Sequence, residues 1–182
     1  MQLTPRSVAF LASLEGFALE TYLDSGGVWT WALGVTDSSG HGVQRYKDHP
    51  STVEEALQVS VWLLKEKYLP AVLGAFPDGL NEAQLAAALS FHWNTGAISR
   101  ADWVSSFNQH HAPESYNGWM SWGGHGLLTG RRMVERALFT NGSWPSDLRA
   151  SQYPVLKPSY HPDFRHASRV DLMPALTRVM QT

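Results

Sequence analysis

Residues 15–36, EGFALETYLDSGGVWTWALGVT, constrain the fold more than any other part of this 182-residue chain. Before this stretch apolar residues recur at helical spacing, and within it they recur every second residue around a glycine turn. A helix therefore hands over to a β-hairpin here, which points to an α+β fold with short strands. Three side chains in the stretch, Glu15, Asp24 and Thr30, stand out as candidates for proton chemistry. Eight residues separate Glu15 from Asp24, and five more separate Asp24 from Thr30. A carboxyl closing a helix, a second entering a turn and a hydroxyl on the returning strand suit a general acid/base cleft.

The local pattern supports this order of elements. Thr4-Pro5 is a helix start, with an N-cap hydroxyl before proline. Val8, Leu11, Ala12 and Glu15 share one helical face, so Glu15 sits on or beside apolar neighbours that favour its protonated form. Gly16 reads as the C-terminal cap. Ser25-Gly26-Gly27 turns the hairpin, after which Trp29, Trp31, Leu33 and Val35 point one way and Val28, Thr30, Ala32 and Gly34 the other. Small neighbours leave room beside Thr30. Residues 42–46 read as a third strand.

Ser51-Thr52-Val53-Glu54 reads as a capping box opening a long helix with Val53, Leu57, Val61, Leu64 and Tyr68 as its stripe. Pro70 ends or kinks it. Asn81-Glu82-Ala83-Gln84 opens a second helix that stops at Asn94-Thr95-Gly96, and shorter helices are expected over 102–110, 113–122 and 129–140. Beyond Trp144 come five prolines with little periodicity, so 145–182 reads as an extended appendage with a brief helix from Asp171.

Composition removes several classes of function. The formal net charge is −2, which is no nucleic-acid footprint. There is no cysteine, so disulfides, thiolate zinc sites and cysteine nucleophiles are excluded. Eight histidines occur without HExxH or similar spacing; His110, His111 and His125 lie in loop-rich sequence, and neither metal nor cofactor is expected. No apolar run approaches the ~18 residues of a membrane span. The first residues lack the apolar block and cleavage site of a signal peptide. Residues 1–142 hold nine Lys/Arg against thirteen Asp/Glu and 143–182 five against three, so the tail is the mildly basic part. Eight tryptophans suit sugar rings, although core packing is the ordinary role of such residues.

The spacing of Glu15, Asp24 and Thr30 resembles the Glu-x8-Asp-x5-Thr hallmark of phage-type lysozymes, the endolysins of glycoside hydrolase family 24. Glu15-Gly16-Phe17, Tyr22 and Gly26-Gly27-Val28-Trp29-Thr30 match its context. Ser90-Phe91-His92-Trp93-Asn94-Thr95-Gly96 resembles its SFxxNxG segment, and residues 131–139 its RRxxExxLF helix. The chain departs from the usual TIGYGHT at Ala32, Leu33 and Val35, where the family has Gly, Tyr and His.

The resemblance implies a lysozyme-like α+β fold. A small β-hairpin lobe over about 20–46 would be joined by a long helix to a mainly helical lobe over about 52–144, which also takes helix 4–16. Residues 1–144 would form the catalytic domain and 145–182 a proline-rich extension packed on it or appended to it.

The implied activity is hydrolysis, with inversion, of the β-1,4 bond between N-acetylmuramic acid and N-acetylglucosamine in peptidoglycan. Glu15 would be the acid, Asp24 would orient or deprotonate the water, and Thr30 would hold it. Arg131 would fix Glu15, or else pair with Glu135 on its own helix. Asn94 would face N-acetyl groups, or else end its helix. Trp29 and Trp31 would stack on sugars, or else pack. The alternatives are a lytic transglycosylase and a non-catalytic wall-binding or phage-particle module, the latter motivated by Ala32, Leu33 and Val35. The expected partner is the glycan strand, met by a monomer made in the host cytoplasm and released to the wall by another factor.

Overall fold

The computed structural model describes residues 2–110 and 113–181. The chain divides into two compact units, Met1–Leu11 with Leu64–Ser146, and Ala12–Leu63 with Asp147–Thr182. His111 lies outside the described residues.

The second unit carries a five-stranded sheet. Helix α1 (Pro5–Leu14) runs into strand β1 (Gly16–Leu23), and β2 (Trp29–Ala32) and β3 (Val35–Thr36) follow as antiparallel neighbours. Tyr22 pairs with Thr30, and Ala18 with Ala32, so β1 carries extra residues between these two points. That bulge is stitched at its edge: Ser51 N–H donates to the Leu19 carbonyl at 2.9 Å, and Thr21 Oγ1 donates to the Val43 carbonyl.

The expected strand alternation holds only as far as Trp31. Ala32 (φ 53°) and Gly34 (φ 100°) turn the chain back within four residues, and the Gly34 N–H closes the turn on the Trp31 carbonyl at 3.1 Å. Ala32, Leu33 and Val35 are all fully buried. The three departures from the family pattern thus build core beneath the hairpin and do not line a cleft. Residues 43–46 form a 3₁₀ turn and no third strand: Val43 N–H is held by Asp37 Oδ1 at 2.7 Å, and Tyr46 is buried.

The cap of helix α2 (Val53–Leu63) stands one residue later than the capping box suggested. Thr52 Oγ1 accepts from Glu55 N–H at 3.1 Å, while Ser51 is turned toward Leu19 and Trp31. Past Leu63 the hydrogen bonding loosens into a π turn, Leu64–Tyr68, and then tightens into α3 (Leu69–Ala75). Pro70 lies in the first turn of α3, where its missing N–H has no helical partner to lose. The chain passes from the second unit into the first at Leu64.

Residues 147–181 are more than an appendage. Strand β4 (Ala150–Gln152) pairs parallel with β1 at Gly16 and Phe17, and β5 (Ser168–Val170) pairs antiparallel with β4. Helix α7 (Met173–Gln181) packs on α2, burying Ala175 and Leu176.

The first unit is helical. Helix α4 (Glu82–Thr95) opens with a full capping box at Asn81 and Gln84 and ends at Gly96 (φ 63°). Helices α5 (Asp102–Asn108) and α6 (Thr129–Asn141) follow, with a 3₁₀ segment Pro113–Trp122 between them. Aromatic rings fill the unit: Trp103 stacks on Trp119 at 3.7 Å between centroids, with Phe91 and Phe139 edge-on or tilted against them.

Candidate active site

Glu15, Asp24 and Thr30 all belong to the sheet-bearing unit. Glu15 stands at the junction where α1 stops. Its N–H still reaches the Ala12 carbonyl at 3.3 Å, and its side chain is half-buried. Gly16, just after it, opens β1 with no left-handed backbone, so it is no helix cap. Its small size has another cause. A Cβ there would lie 2.6 Å from Cε2 of Tyr153, whose ring covers the glycine.

Asp24 enters the hairpin turn and holds it together. Its Oδ1 accepts the N–H groups of Gly26 and Val28, both at 2.8 Å, and its own N–H donates to the Val28 carbonyl at 3.0 Å. Gly27 supplies the left-handed residue (φ 74°) that this turn requires. Both of the turn's bonds to the carboxylate go to Oδ1. Thr30 is 4% exposed, and its Oγ1 donates to the Val28 carbonyl at 3.1 Å.

Tyr22 joins these groups. It lies directly across the ladder from Thr30, so the two side chains share a face of the sheet. Burial drives its phenol well above the ordinary value of 10.0; the carboxyls of Glu15 and then Asp24, with Tyr153, raise it further. Both carboxyls thus act in the same direction on the phenol that pairs across the ladder from Thr30. Sequence reasoning used Tyr22 only as motif context, although its position two residues before Asp24, on the same face, was a usable signal.

A cavity of about 440 Å³ opens here, lined by Gly16, Tyr22 and Asp24 from the hairpin side and by Tyr153, His161 and Phe164 from the C-terminal segment. Its size is that of a small-molecule site.

Of the other sequence candidates, Trp29 and Trp31 belong to the same unit as Glu15. Trp31 is wholly buried, stacked on Tyr46 at 3.8 Å, with its Nε1–H shared between the Leu19 carbonyl and Ser51 Oγ. It has no face to offer a sugar. Trp29 is half-buried, edge-on to Tyr160 at 5.5 Å, with the Lys47 ammonium 4.7 Å from its ring. Arg131 and Asn94 belong to the helical unit. Arg131 pairs with Glu135 at 2.9 Å and donates to the Ser90 carbonyl at 3.0 Å. Asn94 Oδ1 accepts from Arg132, while Gly96 ends the helix. Among the described residues no three His, Asp or Glu side chains gather as a metal site.

With Glu15 at a helix end, Asp24 in a turn and Thr30 on the returning strand of an α+β scaffold, the class that the family match defines is a peptidoglycan-degrading lysozyme. The family described as Phage lysozyme matches residues 12–135. The chain belongs to the phage lysozyme family.

Solved structures share the fold. An endolysin from Escherichia coli O157:H7 phage FAHEc1 superposes with a TM-score of 0.69 at 23% identity, covering 80% of this chain and 98% of that one. A point variant of P22 lysozyme gives 0.62 at 26%, covering 76% and 98%. The muramidase domain of SpmX from Asticaccaulis excentricus gives 0.58 at 24%, covering 76% and 97%. No protein with a curated description matches the sequence.

Proposed function

We propose that this lysozyme is a muramidase that hydrolyses the β-1,4 bond between N-acetylmuramic acid and N-acetylglucosamine with inversion. Glu15 protonates the leaving glycosidic oxygen from its half-buried place at the end of α1. Asp24 directs a water to the opposite face of the sugar through Oδ2, the oxygen that the turn does not use. Thr30 helps to hold that water. An inverting mechanism needs the carboxyls ~6.5–9.5 Å apart, with room between them for the nucleophile.

The observation that carries this reading is geometric: Tyr22 pairs across the ladder with Thr30 and lines one cavity with Asp24 and with Gly16, the neighbour of Glu15. The burial of Ala32, Leu33 and Val35 bears on the non-catalytic alternative, because these changes lie in the core rather than on the wall-facing surface. The substrate is the glycan strand of the wall, reached after another factor releases the enzyme; no described helix is long and apolar enough to cross a membrane.

Clearing of permeabilised Gram-negative cells by the wild type and by Glu15→Gln tests the acid, and the glutamine variant is expected to clear at least ~10²-fold more slowly. Equal clearing by the two proteins refutes the assignment. A reducing muramic acid end marks hydrolysis, whereas an anhydro end would mark a transglycosylase.

A further inference from the structure

We infer that the C-terminal segment supplies a binding site for one N-acetylated sugar ring of the glycan, with Phe164 as the stacking face and His161 as a hydrogen-bond acceptor. The inference rests on the muramidase reading and names a substrate contact within it. The matched family span ends at residue 135, well before either residue.

The segment is held firmly along β1. Beyond the β4 pairing, Tyr153 N–H donates to the Phe17 carbonyl at 2.9 Å and Leu23 N–H to the Tyr160 carbonyl at 2.7 Å. Lys157 ties the loop between them to Glu20 at 2.7 Å and to Asp48 at 2.5 Å, and Tyr160 Oη donates to Asp48 Oδ2 at 2.8 Å. Val155 and Pro162 form a bridge that returns the chain to the cavity. This is a wall fixed on both sides.

Its surface has the composition of a carbohydrate site. Phe164 is 69% exposed, although a phenylalanine of a soluble domain is ordinarily covered. Its ring meets Tyr153 at 5.0 Å and 73°, a T-shaped contact that props it while leaving most of its surface open. An open, supported aromatic face suits the apolar C–H face of a pyranose. His161 Nδ1 lies 3.2 Å from the Leu23 carbonyl. A carbonyl only accepts, so Nδ1 carries the proton and the neutral ring keeps Nε2 as an acceptor. That acceptor suits a sugar hydroxyl or an acetamido N–H. Both residues line the same cavity as Asp24, so the bound ring would belong to the strand being cut.

Tri-N-acetylchitotriose, titrated calorimetrically into wild type, Phe164→Ala, Phe164→Tyr, His161→Ala and Glu15→Gln, tests the site. Phe164→Ala is expected to weaken binding about tenfold and to raise KM on peptidoglycan, with kcat kept within about twofold. Phe164→Tyr should restore both, His161→Ala should weaken binding several-fold, and Glu15→Gln should bind as wild type. Thermal unfolding confirms that the exposed substitutions leave the fold intact. No binding by the wild type, or equal binding by all the variants, overturns the inference. Clearing by Glu15→Gln at the wild-type rate would instead refute the muramidase reading, with the binding result still decisive for the site.

Discussion

The buried charge cluster of the helical unit offers the sharpest stability prediction. Glu135 is fully buried and accepts four hydrogen bonds: Oε1 from Ser90 Oγ at 2.7 Å and Arg131 Nε at 2.9 Å, Oε2 from Trp119 Nε1 at 3.2 Å and from Arg132. Arg132 is itself wholly buried, and also donates to Asn94 and to the Trp122 carbonyl. Glu135→Ala would leave a guanidinium in the core without its carboxylate. Breaking a buried pair in this way costs about 3–5 kcal/mol. Glu135→Gln keeps one oxygen but turns an amino group toward two donors, for a loss of about 2–3 kcal/mol. The paired change Arg132→Met with Glu135→Leu removes the wholly buried pair, leaves Arg131 its bonds to Ser90, and should recover about 2 kcal/mol relative to Glu135→Ala. Urea unfolding monitored by tryptophan fluorescence reads these differences as shifts in midpoint at constant slope. A Glu135→Ala protein within about 1 kcal/mol of wild type would refute the reasoning, because the arginine would then have been solvated or otherwise satisfied.

Three further outcomes are expected. Asp24→Asn keeps the oxygen that accepts from Gly26 and Val28, so stability should stay within about 0.5 kcal/mol while clearing falls at least ~10²-fold; parallel loss of both would mean the turn, not the charge, was being measured. Gly16→Ala forces its methyl onto the Tyr153 ring and should destabilise by about 1–3 kcal/mol, with Tyr153→Ala relieving part of the loss in urea midpoints. Burial holds the His92 imidazole below its ordinary 6.5, so the unfolded chain takes up this proton first. The stability it contributes is complete above pH 6.5 and declines as the pH falls through and below that value; urea midpoints at pH 7.5 and 5 should show a decline that His92→Gln reduces.

Much of the fold was legible because it is written locally. The change of period after Leu14, the glycines that turn the hairpin and the paired Asn81 and Gln84 each act within a few residues of themselves. What was not legible depends on distant partners. Gly16 looked like a helix cap until the Tyr153 ring, 137 positions later, explained its missing side chain. The pairing of Ala150–Gln152 with Gly16 and Phe17 leaves no periodic trace in so short a strand. Residues 43–46 have strand-like composition, but the Asp37 carboxylate draws them into a 3₁₀ turn. At the candidate site the carboxyl spacing and the i,i+2 relation of Tyr22 to Asp24 were visible in the sequence, whereas the pairing of Tyr22 with Thr30 needed the register of β1 against β2. The pairing of Arg131 with Glu135 was readable as an i,i+4 spacing, whereas the bond that Asn94 Oδ1 accepts from Arg132, 38 positions later, was not.

The stereochemistry of the first product tests the central claim most directly. Proton NMR of soluble peptidoglycan oligomers during the first minutes of digestion should show the new reducing muramic acid ends appearing as the α-anomer and only then equilibrating. A β-anomer appearing first, or a product with no reducing end, would contradict a water activated by Asp24 opposite the Glu15 proton.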